Sequence, residues 1–163
     1  MVLEPVVYGG GQEHGLRSGT ENVALAVGPG AAADLAREHL GTDGPRRTAE
    51  LRDRLHHRLA DSLGSVWLNG HPDRRLPNTL NVSTTGVPGD ALLAAIPELA
   101  ASTGSACHAG ITDPSPVLSA MGIDRDRALS AVRLSLGRWT TGPDIDRAAG
   151  LLIAAARQLR LRS

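Results

Sequence analysis

Leucine recurs at every fourth position from Leu51 through Leu55 and Leu59 to Leu63, with Arg52, Asp53, Arg54, Arg58 and Asp61 between. At about 3.6 residues per turn this spacing draws one apolar stripe along an otherwise charged helix. The far end of the chain repeats the device. Ile145, Ala149, Leu152, Ala156 and Leu159 step by four and three behind Thr141-Gly-Pro-Asp144, which reads as a helix cap. A stripe of this kind has to be covered by another element. Two alternating stretches offer the cover. Residues 78–83 alternate apolar and polar, and in residues 131–136 Val132, Leu134 and Leu136 fall on one face while Arg133 and Ser135 fall on the other. A third strand is expected at residues 65–69, ended by the turn Asn69-Gly70. The predicted fold class is α+β: a small, mostly antiparallel sheet with helices packed on one side. Phenylalanine is absent and aromatics are 2% of the chain, so the core is built from Leu, Val, Ile and Ala.

The remaining segments are connectors and shorter elements. Residues 1–22 are polar and Gly-punctuated, hence a loop. A helix follows from Val23, with a kink expected at Gly28-Pro29 and a break at residues 41–45. Short helices are expected from Gly89-Asp90 and from Ser115-Pro116, and residues 99–101 approach the next segment as a possible strand. Net charge is +0, with 17 basic and 17 acidic residues, so there is no electrostatic footprint for nucleic acid. No apolar run reaches the length of a membrane span and no signal peptide is visible. One cysteine excludes an internal disulfide and fits a reducing, cytoplasmic setting. His56 and His57 have no third partner nearby, so no metal site is expected.

Three places could carry chemistry. The only cysteine, Cys107, lies in residues 101–110 among Ser102, Thr103, Gly104, Ser105, Ala106, Ala109 and Gly110. Small flanks have little to pack with, which suits a thiol on an exposed loop, and a deprotonated thiol is a nucleophile. The residues alone leave this reading and a chance free cysteine in a turn about even. Ser18-Gly19-Thr20 ahead of a helix offers a hydroxyl and backbone N–H groups to an anion, although such residues also cap helices without any ligand. Arg133 projects from a strand face. It either pairs with a surface carboxylate or, in a cleft with Cys107, grips a substrate carboxylate with two parallel hydrogen bonds. All 17 basic residues are arginine. Chemistry that needs a lysine amine is therefore not completed by these residues alone.

Four motifs, in order and in register, resemble the cysteine desulfurases of the NifS/IscS type, pyridoxal-phosphate enzymes of the class V aminotransferase group. They are Gly9-Gly-Gly-Gln-Glu-His-Gly-Leu-Arg-Ser-Gly-Thr-Glu-Asn22, Leu76-Pro-Asn-Thr-Leu-Asn81, Ser102-Thr-Gly-Ser-Ala-Cys107 and Val132-Arg-Leu-Ser-Leu-Gly-Arg138. The resemblance implies that residues 1–22 are a Gly-rich loop segment of a pyridoxal-phosphate-binding large domain. Residues 23–163 then form a small domain like the C-terminal one of fold-type I enzymes. It implies Cys107 as the persulfide-forming cysteine, Thr20 as a contact to the cofactor phosphate of a neighbouring subunit, and Arg133 as the substrate-carboxylate ligand. The reaction implied is L-cysteine to L-alanine plus a Cys107 persulfide, for iron-sulfur cluster or thio-cofactor assembly. The implied partners are L-cysteine, a second copy or a complementary large-domain chain, and a sulfur acceptor or iron-sulfur scaffold.

The chain departs from the family at His14, where arginine or glutamine is usual, and at His108, where a small polar residue is common. The Schiff-base lysine, the histidine stacked on the cofactor ring and the aspartate on its pyridine nitrogen are not in these residues. Activity of this chain alone is therefore not expected. A different class of reading stays open: a partner-binding or sulfur-carrier module that uses no pyridoxal phosphate, or a degenerate remnant.

Overall fold

A computed structural model describes residues 3–104 and 113–162. By its contacts the chain divides into two units, Met1–Thr42 and Asp43–Ser163. This division falls later than the boundary at residue 22 drawn from sequence.

The first unit is a bent loop leading into one helix. A 3-10 turn, Gln12–Gly15, holds Glu13 and His14 at positive φ, 51° and 57°, where side chains are rarely accommodated. Helix α1, Val23–Leu40, runs through Pro29 as one element, with Asn22 as its N-cap. The Asn22 side chain accepts from the Leu25 N–H at 3.0 Å. No residue of α1 is buried, and Val23, Leu25, Val27, Leu35 and Leu40 are all exposed.

The second unit holds the expected sheet. Strands β1 (Val66–Leu68), β2 (Thr79–Thr84) and β3 (Ala131–Ser135) lie in the order β1-β2-β3, each pair antiparallel. The register sets Leu80 opposite Leu134 and Val82 opposite Val132. One face is therefore continuous and apolar. Helices α2 (Gly44–Leu63) and α6 (Gly142–Arg160) cover it, packing against each other as well. Leu55, Leu59 and Leu63 from α2 and Ile145, Ala149, Leu152 and Ala156 from α6 join Leu80, Val82, Val132 and Leu134 in one core. The predicted stripes are thus the ones facing the core, with Leu51 and Leu159 only partly buried. Thr141 and Asp144 form a reciprocal capping box at the start of α6. Gly64, at φ 70°, ends α2 in the left-handed conformation.

Three short helices complete the described part of the unit: α3 (Gly89–Ala94), α4 (Pro116–Ala120) and α5 (Arg125–Leu129). Helix α5 was not expected. It packs on β2, and the Arg127 carbonyl in it accepts from Ser83 Oγ at 2.7 Å. Strand β2, expected to be half-buried, is therefore covered on both faces at its end, where Ser83 is 0% exposed.

Candidate functional site

Strand β3 presents its second face through Arg133. The side chain is exposed, with no hydrogen bond or ion pair among the described residues. Its backbone is flanked on both sides and hydrogen-bonded to Ser102. Asn81 of β2 is its register partner. On the other side Ser102 makes an isolated bridge, its N–H donating to the Arg133 carbonyl at 3.2 Å and its carbonyl accepting from the Arg133 N–H at 2.6 Å. The possible strand at residues 99–101 is not formed; the one bridge falls at Ser102, just after it. Ser102 Oγ also accepts from the Gly104 N–H at 3.1 Å and donates to the Gly104 carbonyl at 2.7 Å, closing a tight local turn. The backbone around this corner is crowded. A Cβ on Gly89, at the start of α3, would sit 2.5 Å from the Ala131 carbonyl oxygen and 3.2 Å from Thr103 Cγ2. Only glycine fits there.

Cys107 lies outside the described residues, five positions after Ser102. Thr20 belongs to the first unit, in the loop ahead of the N-cap Asn22. Its carbonyl accepts from Arg17 Nη1 at 3.2 Å, and the neighbouring Gly19 N–H donates to Gln12 Oε1 at 3.3 Å. The first turn of α1 therefore starts beyond Thr20, and Asn22 already takes one of its free N–H groups. What Thr20 retains is an exposed hydroxyl.

Beside Arg133 the same sheet face carries a polar network that the sequence did not reveal. Arg127 of α5 donates from Nε to Asn69 Oδ1 and from Nη2 to the Leu68 carbonyl, both at 2.9 Å. Its guanidinium lies over the Trp67 ring, 5.3 Å from the centroid. Asn69 Nδ2 donates to Asn81 Oδ1 and to Ser83 Oγ, each at 2.8 Å. The sequence marks Asn69 only as a turn former. The alternation in both long strands was a usable signal, since it sets Asn81, Ser83 and Arg133 on one shared face. Arg127 was hidden in the unexpected helix.

A second charged cluster lies on α2. Arg52, with its side chain 7% exposed, and Arg75, 14% exposed, both bind Asp53. Hydrogen bonding from Arg52 holds the Asp53 carboxyl below the usual carboxylate range. Arg52 Nη1 also donates to the Leu76 carbonyl at 2.7 Å, tying α2 to the loop before β2. Among the described residues no group of three His, Cys, Asp or Glu side chains is placed to hold a metal, and no helix is long and apolar enough to cross a membrane.

The aminotransferase class-V family matches residues 3–148. A cysteine desulfurase IscS of Histophilus somni is 44% identical over 158 residues, covering 97% of this chain and 39% of that protein. A cysteine desulfurase of Gluconacetobacter diazotrophicus is 42% identical, covering 97% and 40%. Among solved structures, a NifS-like protein aligns with a TM-score of 0.76 at 31% identity, over 96% of this chain and 39% of that one. A NifS-like protein from Rickettsia africae aligns at 0.74 and 27% identity, over 98% and 41%. The chain thus spans about two fifths of the length of these curated relatives. It belongs to the aminotransferase class-V family, and its likeness runs to one part of proteins named cysteine desulfurases.

Proposed function

We propose that the chain supplies the sulfur-accepting and substrate-gripping part of a cysteine desulfurase, with residues 23–163 as its small domain and residues 1–22 belonging with a pyridoxal-phosphate-binding large domain. The observation that carries this reading is the pairing of Ser102 with Arg133. It ties an exposed guanidinium, without a partner among the described residues, to a residue five positions from the only cysteine. Five residues reach at most about 17 Å in any conformation. Arg133 takes the carboxylate of L-cysteine, where a planar fork matches two oxygens. The Cys107 thiolate attacks the substrate Sγ: the S–S bond forms as the Cβ–Sγ bond breaks, and a proton reaches Cβ. L-alanine leaves and Cys107 keeps the sulfur as a persulfide.

Pyridoxal phosphate, when bound, supplies the electron sink for loss of the α-proton and of the sulfur. The residues present fit its phosphate end, where the exposed Thr20 hydroxyl is a donor. They do not fit its aldehyde end, because the 163 residues contain no lysine. The amine comes from another chain or segment, so the assembly pairs this chain with a lysine-bearing large domain, beside which a second copy of the chain takes its place as in a dimer. A cytoplasmic location and a sulfur acceptor of iron-sulfur assembly accord with this reading.

Alanine release from L-cysteine tests it. Combined with a lysine-bearing class-V large domain and pyridoxal phosphate, the chain should release alanine, and its Cys107→Ser variant should not. Equal release by that variant would contradict the proposal.

A further inference from the structure

The network beside Arg133 bears on why that side chain has no partner among the described residues. Arg127 can only donate hydrogen bonds. Because its Nε reaches Asn69, that side chain must turn its oxygen to Arg127 and its Nδ2 away. Ser83 enforces the same orientation, since its hydroxyl donates to the Arg127 carbonyl and so accepts from Asn69 Nδ2. Asn69 is 8% exposed and Ser83 0%, which leaves water little share in the matter. The other hydrogen of Asn69 Nδ2 then requires an oxygen from Asn81, at 2.8 Å. Polarity is thus passed from an arginine through two amides, and it leaves Asn81 Nδ2 as a donor with no partner among the described residues.

Asn81 is the register partner of Arg133, on the same sheet face. Cross-strand neighbours hold their Cβ atoms about 5 Å apart. An Asn81 oxygen engaged by Asn69 is kept from closing on the guanidinium. We propose that Asn81 Nδ2 is a second donor for the carboxylate that Arg133 grips, and that Asn69, oriented by Arg127, is the positioning residue that keeps Asn81 donating. This rests on the reading of Arg133 as a carboxylate ligand.

The test is a titration of the ¹⁵N-labelled chain with L-cysteine under reducing conditions, with L-cysteine ethyl ester, which lacks the carboxylate, as control. The Arg133 Nε–H and Asn81 side-chain amide resonances should shift together with one midpoint, and neither should shift with the ester. Asn69→Asp reverses the relay: its carboxylate pairs with Arg127 and only accepts, so Asn81 must turn its amide inward. In that variant the Asn81 amide should not respond, and the Arg133 midpoint should rise about tenfold, the loss of one charge-assisted hydrogen bond. Should Asn69→Asp not fold, Asn81→Ala at the partly exposed position should raise the Arg133 midpoint similarly. An Arg133 response with a silent Asn81 amide in the unaltered chain would overturn the second donor and leave Arg133 standing. No response from either would overturn both. An unchanged Asn81 response in folded Asn69→Asp would overturn the relay.

Discussion

Ser102 and Arg133 exchange both of their backbone hydrogen bonds, so the approach to the cysteine segment is fixed to the arginine of β3 by main chain and not by side chain. The Arg133 side chain is left exposed, with no partner among the described residues. Arg133→Ala should therefore leave the unfolding midpoint within about 0.5 kcal/mol of the parent. In the reconstituted enzyme the same change should raise the KM for L-cysteine while thiol labelling of Cys107 keeps its rate. A drop in the melting temperature of several degrees would show that Arg133 serves the fold instead.

The two long helices are joined by burial far more than by charge. Asp146 of α6 accepts from Arg54 and Arg58 of α2, but all three side chains are substantially exposed. Asp146→Ala should cost little, because ion pairs between exposed side chains are screened by water. Leu55, 2% exposed in the core between helix and sheet, should cost about 2–5 kcal/mol on truncation to alanine. Urea unfolding of the two variants checks the ranking, and a larger loss for Asp146→Ala would reverse it.

Much of this was legible in the sequence. The leucine ladder and the terminal stripe forecast α2, α6 and their buried faces, because period and amphipathicity survive when packing merely covers an existing stripe. The alternation around Val132 and Leu134 forecast β3 and the outward Arg133 for the same reason. Helix α5 was not legible. It is one turn and a half of Arg125-Asp-Arg-Ala-Leu129, too short to show a period, and it is capped by Asp124 accepting from the Arg127 N–H. The roles of Asn69 and Asn81 depend on that helix, so they were missed with it. The 3-10 turn at Gln12–Gly15 was equally silent, since positive φ at Glu13 and His14 is a choice their side chains do not announce.

Stability should fall on acidification in two separate steps. Burial, with the charges of Arg75 and His57 adding to it, pushes the His56 imidazole down from its ordinary value. The unfolded chain protonates His56 near pH 6.5 or so, while the folded one resists, so stability declines as pH drops through about 6.5 and levels once folded His56 titrates too. Asp53 titrates below its unfolded value of about 3.9 when folded. Its contribution is complete above that pH and is lost as pH falls through the folded value. His56→Gln should flatten the upper step, and Asp53→Asn should reduce the lower one, to which the lowered carboxyls of Asp144 and Asp146 also contribute, in unfolding midpoints measured from about pH 8 to pH 3. An upper slope that persists in His56→Gln would assign it elsewhere.

The first unit should open far more readily than the sheet. Helix α1 buries none of its residues, whereas β2 and β3 share a full ladder over the core. Amides of α1 should exchange with deuterium well ahead of those at Val132 and Leu134. Equal protection of the two would mean that α1 is covered by something in solution.

The most direct measurement of the proposed function is the mass of the peptide that contains Cys107. After incubation of the chain with L-cysteine, pyridoxal phosphate and a lysine-bearing class-V large domain, that peptide should carry one additional sulfur atom, removable by a reducing thiol. In the Arg133→Ala variant the gain should need more L-cysteine, and in Cys107→Ser it should not occur. Alanine formed at full rate with no sulfur ever retained on Cys107 would contradict the account.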